Sequence, residues 1–145
     1  MNRFAFILGS LLLLPLLAWA ENSTRVDGYT IHHNAVTTDT LTTKVANAYR
    51  IQRSKNRALV NIAVIRNEGS PTGTPVTASV SLVASNLIGQ KRDITLREIR
   101  EDKAIYYIAD FPVAHREQLL FNIEVTPEGS AYPLQAKFQQ EFFTD

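Results

Sequence analysis

The sequence predicts a mainly β fold, an immunoglobulin-like sandwich of about seven strands, with one short helical segment near residues 42–49. Three observations carry this. Val76, Ala78, Val80, Leu82 and Ala84 alternate with Thr77, Ser79, Ser81 and Ser85, the period of two expected of a strand with one buried and one wet face. Short apolar runs recur along the chain with Gly, Pro, Asn and Ser clusters between them. After an export segment is set aside, the remaining length fits one core.

That segment is residues 1–20. Arg3 supplies a positive start, an apolar stretch runs from Phe4 to Leu17, and Ala18-Trp19-Ala20 gives the small-x-small pattern of a signal peptidase site at Ala18 and Ala20. The run is shorter than the ~20 apolar residues of a spanning helix, and Pro15 interrupts it, so cleavage after Ala20 is expected rather than a membrane anchor. No Cys follows for lipid attachment and no twin-arginine pair precedes the apolar run. The expected address is the periplasm of a two-membraned cell, as a form without a membrane anchor. The Asn22-Ser23-Thr24 triplet falls on what reads as a floppy mature end.

The mature chain is expected to be one domain, residues 21–145. Tyr29, Ile31 and His33 alternate with Thr30, His32 and Asn34, predicting a strand near Tyr29–Val36. Thr42 stands as a cap before Val45, Ala46, Ala48 and Tyr49, predicting a short helix or helical turn. Ala58–Asn67 reads as the next strand, ended by the loop signal Asn67–Gly73. The alternating run up to Ser85 follows, then a turn at Asn86–Gln90 in which Gly89 supplies the special backbone angle. Arg92–Arg100, Ala104–Phe111, Leu119–Val125 and Leu134–Phe142 complete the strands, the last with Leu134, Ala136, Phe138 and Phe142 on one face. An open barrel is the alternative closure.

Of the 145 residues, the first 20 take with them the only Met, the only Trp and Arg3, leaving 125 residues without Cys and with balanced charge. Disulfides are thereby excluded, and soft thiolate or thioether copper sites with them. Balanced charge argues against nucleic-acid binding, which shows as a basic excess. Without the Cys and Trp of antibody domains, Tyr107, Phe111, Phe121 and Phe138 are expected to fill the space between the sheets.

Candidate chemistry is sparse. His32 and His33 are adjacent on a strand, so their rings point to opposite faces and cannot both ligate one ion. The expected roles are one packed and one exposed ring. No Gly-x-Ser-x-Gly elbow is present, and Glu98, Glu101 and Asp102 lie in charge-rich surroundings that read as a solvated edge. No catalytic, metal or cofactor residue is assigned. The sharper candidate is Arg50–Arg57, which holds Arg50, Arg53, Lys55 and Arg57 with no acid and suits a carboxylate, phosphate or acidic surface. Pairing of these groups with the acids of 97–102 is the competing reading, and Asn56 is a candidate left-handed turn residue. Tyr106-Tyr107 places one ring in the core and one outside, so Tyr106 is a candidate interface anchor.

Several segments carry a resemblance: His32 and Asn34, Arg53-Ser54-Lys55-Asn56-Arg57, Asn86–Gln90, Leu96–Glu101, Ala104–Ala109 and Gln140-Glu141-Phe142. Together they resemble a family of small exported gammaproteobacterial proteins catalogued only as a domain of unknown function. The resemblance spans nearly all of the mature chain. It implies a periplasmic setting and an immunoglobulin-like sandwich, and it brings no catalytic residues.

The expected function is a non-catalytic binding or protein-interaction module whose contact residues are Arg53, Lys55, Arg57, Arg97, Arg100 and Tyr106. Its partner would be a periplasmic protein or a small acidic ligand. The alternative is a small hydrolase or a metal carrier using His32 or His33 with a nearby carboxylate.

Overall fold

The computed structural model describes residues 22–145. The signal-peptide reading of residues 1–20, with its peptidase site at Ala18 and Ala20, lies outside the described residues. The strands are β1 (Ser23–Val26), β2 (Tyr29–Thr37), β3 (Arg57–Arg66), β4 (Thr74–Pro75), β5 (Ala78–Ser85), β6 (Lys91–Ile94), β7 (Arg97–Glu101), β8 (Ala104–Pro112), β9 (Glu117–Pro127) and β10 (Leu134–Phe142). Between β2 and β3 lie a single 3-10 turn, Thr38–Thr40, and the helix α1, Thr43–Tyr49.

All pairing is antiparallel, in two separate sheets. One runs β1-β2-β3-β8-β7 with β4 added to the end of β3; the other runs β10-β9-β5-β6. The fold is a β-sandwich, and the open barrel is set aside by the two separate ladders. Alternation explains why they face each other. On β3, Ala58, Val60, Ile62 and Val64 are sealed inside. They oppose Leu82 and Ala84 of β5, Phe121, Ile123 and Val125 of β9, and Leu134 and Ala136 of β10 in one contiguous core. The aromatics expected there are present: Phe121 is fully buried, Tyr107 and Phe111 nearly so, and Phe138 stacks on Phe121 at 4.6 Å.

Three expectations are corrected. The described strands number ten rather than about seven, because β1 and β4 are short and polar and escape a hydrophobic pattern, and because one expected strand is two. The segment from Asn22 onward, read as floppy, is ordered: Ser23–Val26 pairs with Tyr29–His32, and the His33 amide donates to the Asn22 carbonyl at 3.0 Å. The stretch read as one strand, Arg92–Arg100, is two strands in different sheets, β6 against β5 and β7 against β8. Its backbone crosses from one layer to the other at Thr95-Leu96, so Ile94 and Leu96 both still reach the core.

The helix begins as the sequence predicts. The Thr42 hydroxyl accepts from the Val45 amide at 3.1 Å, satisfying one of the first-turn donors. It ends on Arg50 in the left-handed region, φ 57°, so the special backbone residue here is Arg50 and not Asn56. Gly89 takes φ 84° as expected.

Candidate functional site

Each candidate contact residue can now be placed. Arg53 is turned back onto the chain: its Nε donates to the Leu41 carbonyl at 2.7 Å and its Nη2 to the Asp39 carbonyl at 3.0 Å. Beneath it, the buried Thr38 hydroxyl accepts from the Ser54 amide at 2.8 Å and donates to the Gln52 carbonyl at 2.7 Å. Arg57 grips Asp110 through Nε and Nη2, at 3.1 and 2.9 Å. Lys55 is exposed, with no ion-pair partner among the described residues. The basic stretch therefore fastens the α1–β3 connection, with Arg53 occupied by two carbonyls and Arg57 by one carboxylate.

The remaining three separate by face. In β7, Arg97, Ile99 and Glu101 lie on the outer face of the six-stranded sheet, whereas Glu98 and Arg100 lie on the other. Arg97 donates through Nη2 to the Tyr49 carbonyl at the end of α1. Arg100 bonds Glu98 at 2.7 Å, and the Glu98 carboxylate also accepts from the Tyr107 hydroxyl at 3.2 Å. The Arg100 hydrogen bond, before all else, holds the Glu98 carboxyl below the usual carboxylate range. Arg100 is thus a partner of Glu98, which it shares with Tyr107, on the opposite side from Tyr106.

Tyr106 belongs to a different constellation. Helix α1 covers part of the outer face, where Ile51, Leu59 and Ile108 form a second apolar cluster flanked by Val36, Leu41, Tyr49, Ile99 and Tyr106. The cover is incomplete. A groove of about 250 Å³ remains, lined by Leu41, Val45, Leu59, Ile108, Tyr106, Ile99, Tyr49 and Glu101, with Leu59 toward one end of the strands and Glu101 toward the other. Register sets this order: Leu59 lies opposite Asp110, Asn61 opposite Ile108, Tyr106 opposite Ile99, and Glu101 opposite Ala104. Asn61, also in the groove wall, has a covered Oδ1 with no hydrogen-bond partner. Burial, reinforced by a hydrogen bond to Glu101 and its negative charge, pushes the Tyr49 hydroxyl up to about 12, so it remains a neutral phenol.

Of this groove only Tyr106 was among the sequence candidates. Tyr49, Asn61 and Glu101 come together through helix placement and strand register, which no local spacing displays. The one available signal was the outward apolar set Leu59, Ile99 and Ile108, facing away from a core already supplied by their neighbours.

The histidines behave as packing groups. His33 lies inside, 4 % exposed, stacked on Phe138 at 4.7 Å with its planes 10° apart. Its Nε2 is 3.1 Å from the Thr24 hydroxyl, so β1, absent from the sequence expectation, supplies its polar contact. Its Nδ1 is covered without a partner, and burial lowers its pKa. His32 is exposed on the outer face. His115 sits at the far end, its Nδ1 accepting from the Thr144 amide and its Nε2 3.4 Å from Asp145. Among the described residues no group of three His, Cys, Asp or Glu stands together to hold a metal.

Comparison with known proteins follows the fold closely. A crystal structure of a DUF4426 family protein from Pseudomonas aeruginosa PAO1 superposes with a TM-score of 0.72 at 31% identity, over 85% of this chain and 94% of that one. FetP of uropathogenic Escherichia coli strain F11, expressed recombinantly in the periplasm, gives a TM-score of 0.60 at 8% identity, over 83% and 92% of the two chains. A copper-bound variant of the same FetP gives 0.57 at 8% identity, over 83% and 93%. At that identity the likeness to FetP is one of fold alone. No curated protein matches the chain. The family model for DUF4426, a domain of unknown function, matches residues 23–145, and the chain belongs to that family.

Proposed function

We propose that this protein is a non-catalytic binding module of the periplasm, and that it takes its partner or ligand on the outer face of the six-stranded sheet, beside α1. The observation that carries the reading is the groove between α1 and strands β3, β7 and β8. It combines apolar walls with a few converging polar groups, the general character of a small-ligand or side-chain pocket. Its volume, about 250 Å³, suits a small molecule or one protruding side chain. Val45 and Tyr106 stand at its rim, Val45 being 37 % exposed. Arg53 and Arg97 brace α1 and its connection through backbone carbonyls, and Arg57 ties β3 to β8 through Asp110, with Lys55 left as the outward charge.

The test is photo-crosslinking in the periplasm. A photoreactive residue at position 45 or 106 is expected to give a discrete adduct, and one at Ser81, on the wet face of the other sheet, none. Adducts from Ser81 alone would overturn the placement.

A metal carrier is the second reading, favoured by the copper-bound FetP of similar fold. It would use His32 or His33 with a carboxylate. Against it stands the stacking of His33 between Phe138 and the β1 hydroxyl of Thr24. Metal analysis of protein purified from the periplasm decides it: stoichiometric copper or zinc, lost on His32→Ala, would promote this reading over the first.

A further inference from the structure

We infer that the groove beside α1 takes a small amphiphilic amine, an ammonium head on a short apolar chain; this rests on the groove being the binding site. The argument is one of charge and shape. The groove has a direction along the strands, from Leu59 to Tyr106 and Glu101, with the Tyr49 hydroxyl beside Glu101. Every polar side chain in its lining carries oxygen acceptors, and no Lys, Arg or His lines it among the described residues. Arg97, the guanidinium on the groove's face of β7, is committed to the Tyr49 carbonyl, and Arg100 lies on the opposite face with Glu98.

Glu101 is the one charge in the lining. It is exposed and takes part in no ion pair among the described residues, with the Tyr49 hydroxyl as its neighbour. A lone carboxylate beside two tyrosines at the mouth of an apolar slot attracts a cation in two ways: it offers a charge-assisted hydrogen bond, and the neighbouring rings offer cation–π contact. Asn61 adds a polar group to the groove wall: its Oδ1 is covered and unpartnered, an acceptor without a donor. An anionic amphiphile meets the same slot with its charge against Glu101 and no cation to receive it.

The probes are hexylammonium, hexanol and hexanoate, followed by amide chemical shifts of the mature protein. Hexylammonium is expected to shift the signals of Leu59, Ile99 and Ile108 saturably, hexanol more weakly, and hexanoate not at all. Glu101→Gln should weaken hexylammonium at least tenfold, which corresponds to about 1.4 kcal/mol. Because Glu101 is exposed, that variant is expected to keep the wild-type melting temperature. Equal binding of hexanol or hexanoate overturns the amine assignment, and so does hexylammonium binding that Glu101→Gln leaves unchanged. If an acetylated, amidated Gly-Lys-Gly peptide shifts the groove and hexylammonium does not, the occupant is a partner's lysine and the small amine is wrong. In each of these cases a crosslinked adduct from position 45 would keep the groove as the binding site while removing the amine. Absence of both adduct and shifts removes the groove itself.

Discussion

The two faces of β3 carry similar sequences and meet different fates. Inward, Ala58, Val60, Ile62 and Val64 are sealed by the second sheet. Outward, Leu59, Ala63 and Ile65 alternate with them, yet only Leu59 is buried. The difference lies in what covers each face. A four-stranded sheet covers the whole inner surface, whereas α1 has seven residues and a length of about 10 Å at 1.5 Å per residue. A lid that short shelters Ile51, Leu59 and Ile108 and leaves the strip toward Glu101 uncovered. The inner face stabilises the domain, and the outer face leaves Ile99 and Tyr106 only partly covered.

The largest effect that tests this contrast is in the inner core. Phe121 is fully buried and contacts Phe111, Phe138 and Phe142, so Phe121→Ala should cost about 3–5 kcal/mol, through lost transfer energy and a cavity that the sheets cannot close. Urea unfolding followed by circular dichroism measures it. A cost near 1 kcal/mol would mean that the sandwich is far less tightly packed than described.

Leu59→Ala, on the outer face, should cost less, about 2 kcal/mol, at the low end for such truncations. The groove already borders Leu59, so α1 can settle toward the space left behind. A cost as large as that of Phe121→Ala would erase the distinction between the faces.

How much of this was legible beforehand follows the range of the physics. Period-two alternation is local, so β3, β5, β8 and β10 could be read from their own residues. The Thr42 cap is also local, acting on an amide three residues away. β1 was missed because Ser23–Val26 has no hydrophobic alternation; it is a strand only because β2 and the inward His33 lie beside it. The switch at Thr95-Leu96 was missed because inward residues on both sides of it imitate one strand. The contact set joined Arg97 and Arg100, although residues three apart on a strand face opposite ways. The groove depends on pairings more than 30 residues apart in sequence, such as Tyr49 with Glu101, which no window of the chain contains.

The third effect is a slope. Burial lowers the pKa of His33 in the folded state, so the unfolded chain binds its proton first as pH falls. Above the ordinary histidine value of about 6.5 both states are neutral and the group contributes nothing to the slope. Below it the unfolded state gains protons that the folded state resists, and stability declines until the lowered folded pKa is reached. His33→Phe keeps a stacking ring against Phe138 while removing the titration. Urea midpoints at pH 7.5 and 5 should therefore differ less in that variant than in the parent. An unchanged difference would assign the acid sensitivity to other groups.

The smallest effects separate Arg57 and Lys55, two of the cations between α1 and β3. Arg57 makes two hydrogen bonds to one carboxylate oxygen of Asp110, with about a third of its side chain and a quarter of that of Asp110 exposed. A pair in that setting contributes about 0.2–1 kcal/mol, so Arg57→Ala should give a loss within that range. Lys55 is exposed and unpaired, and Lys55→Ala should stay within about 0.5 kcal/mol of the parent. Binding sorts them differently. If the basic loop is itself a contact surface, Lys55→Ala should reduce partner capture with stability unchanged. If the arginines only brace α1, Arg53→Ala should instead weaken binding at the groove by releasing the Leu41 and Asp39 carbonyls it holds, and Lys55→Ala should leave binding intact. The pair of variants thus decides whether the connection meets the partner directly or positions the helix that does.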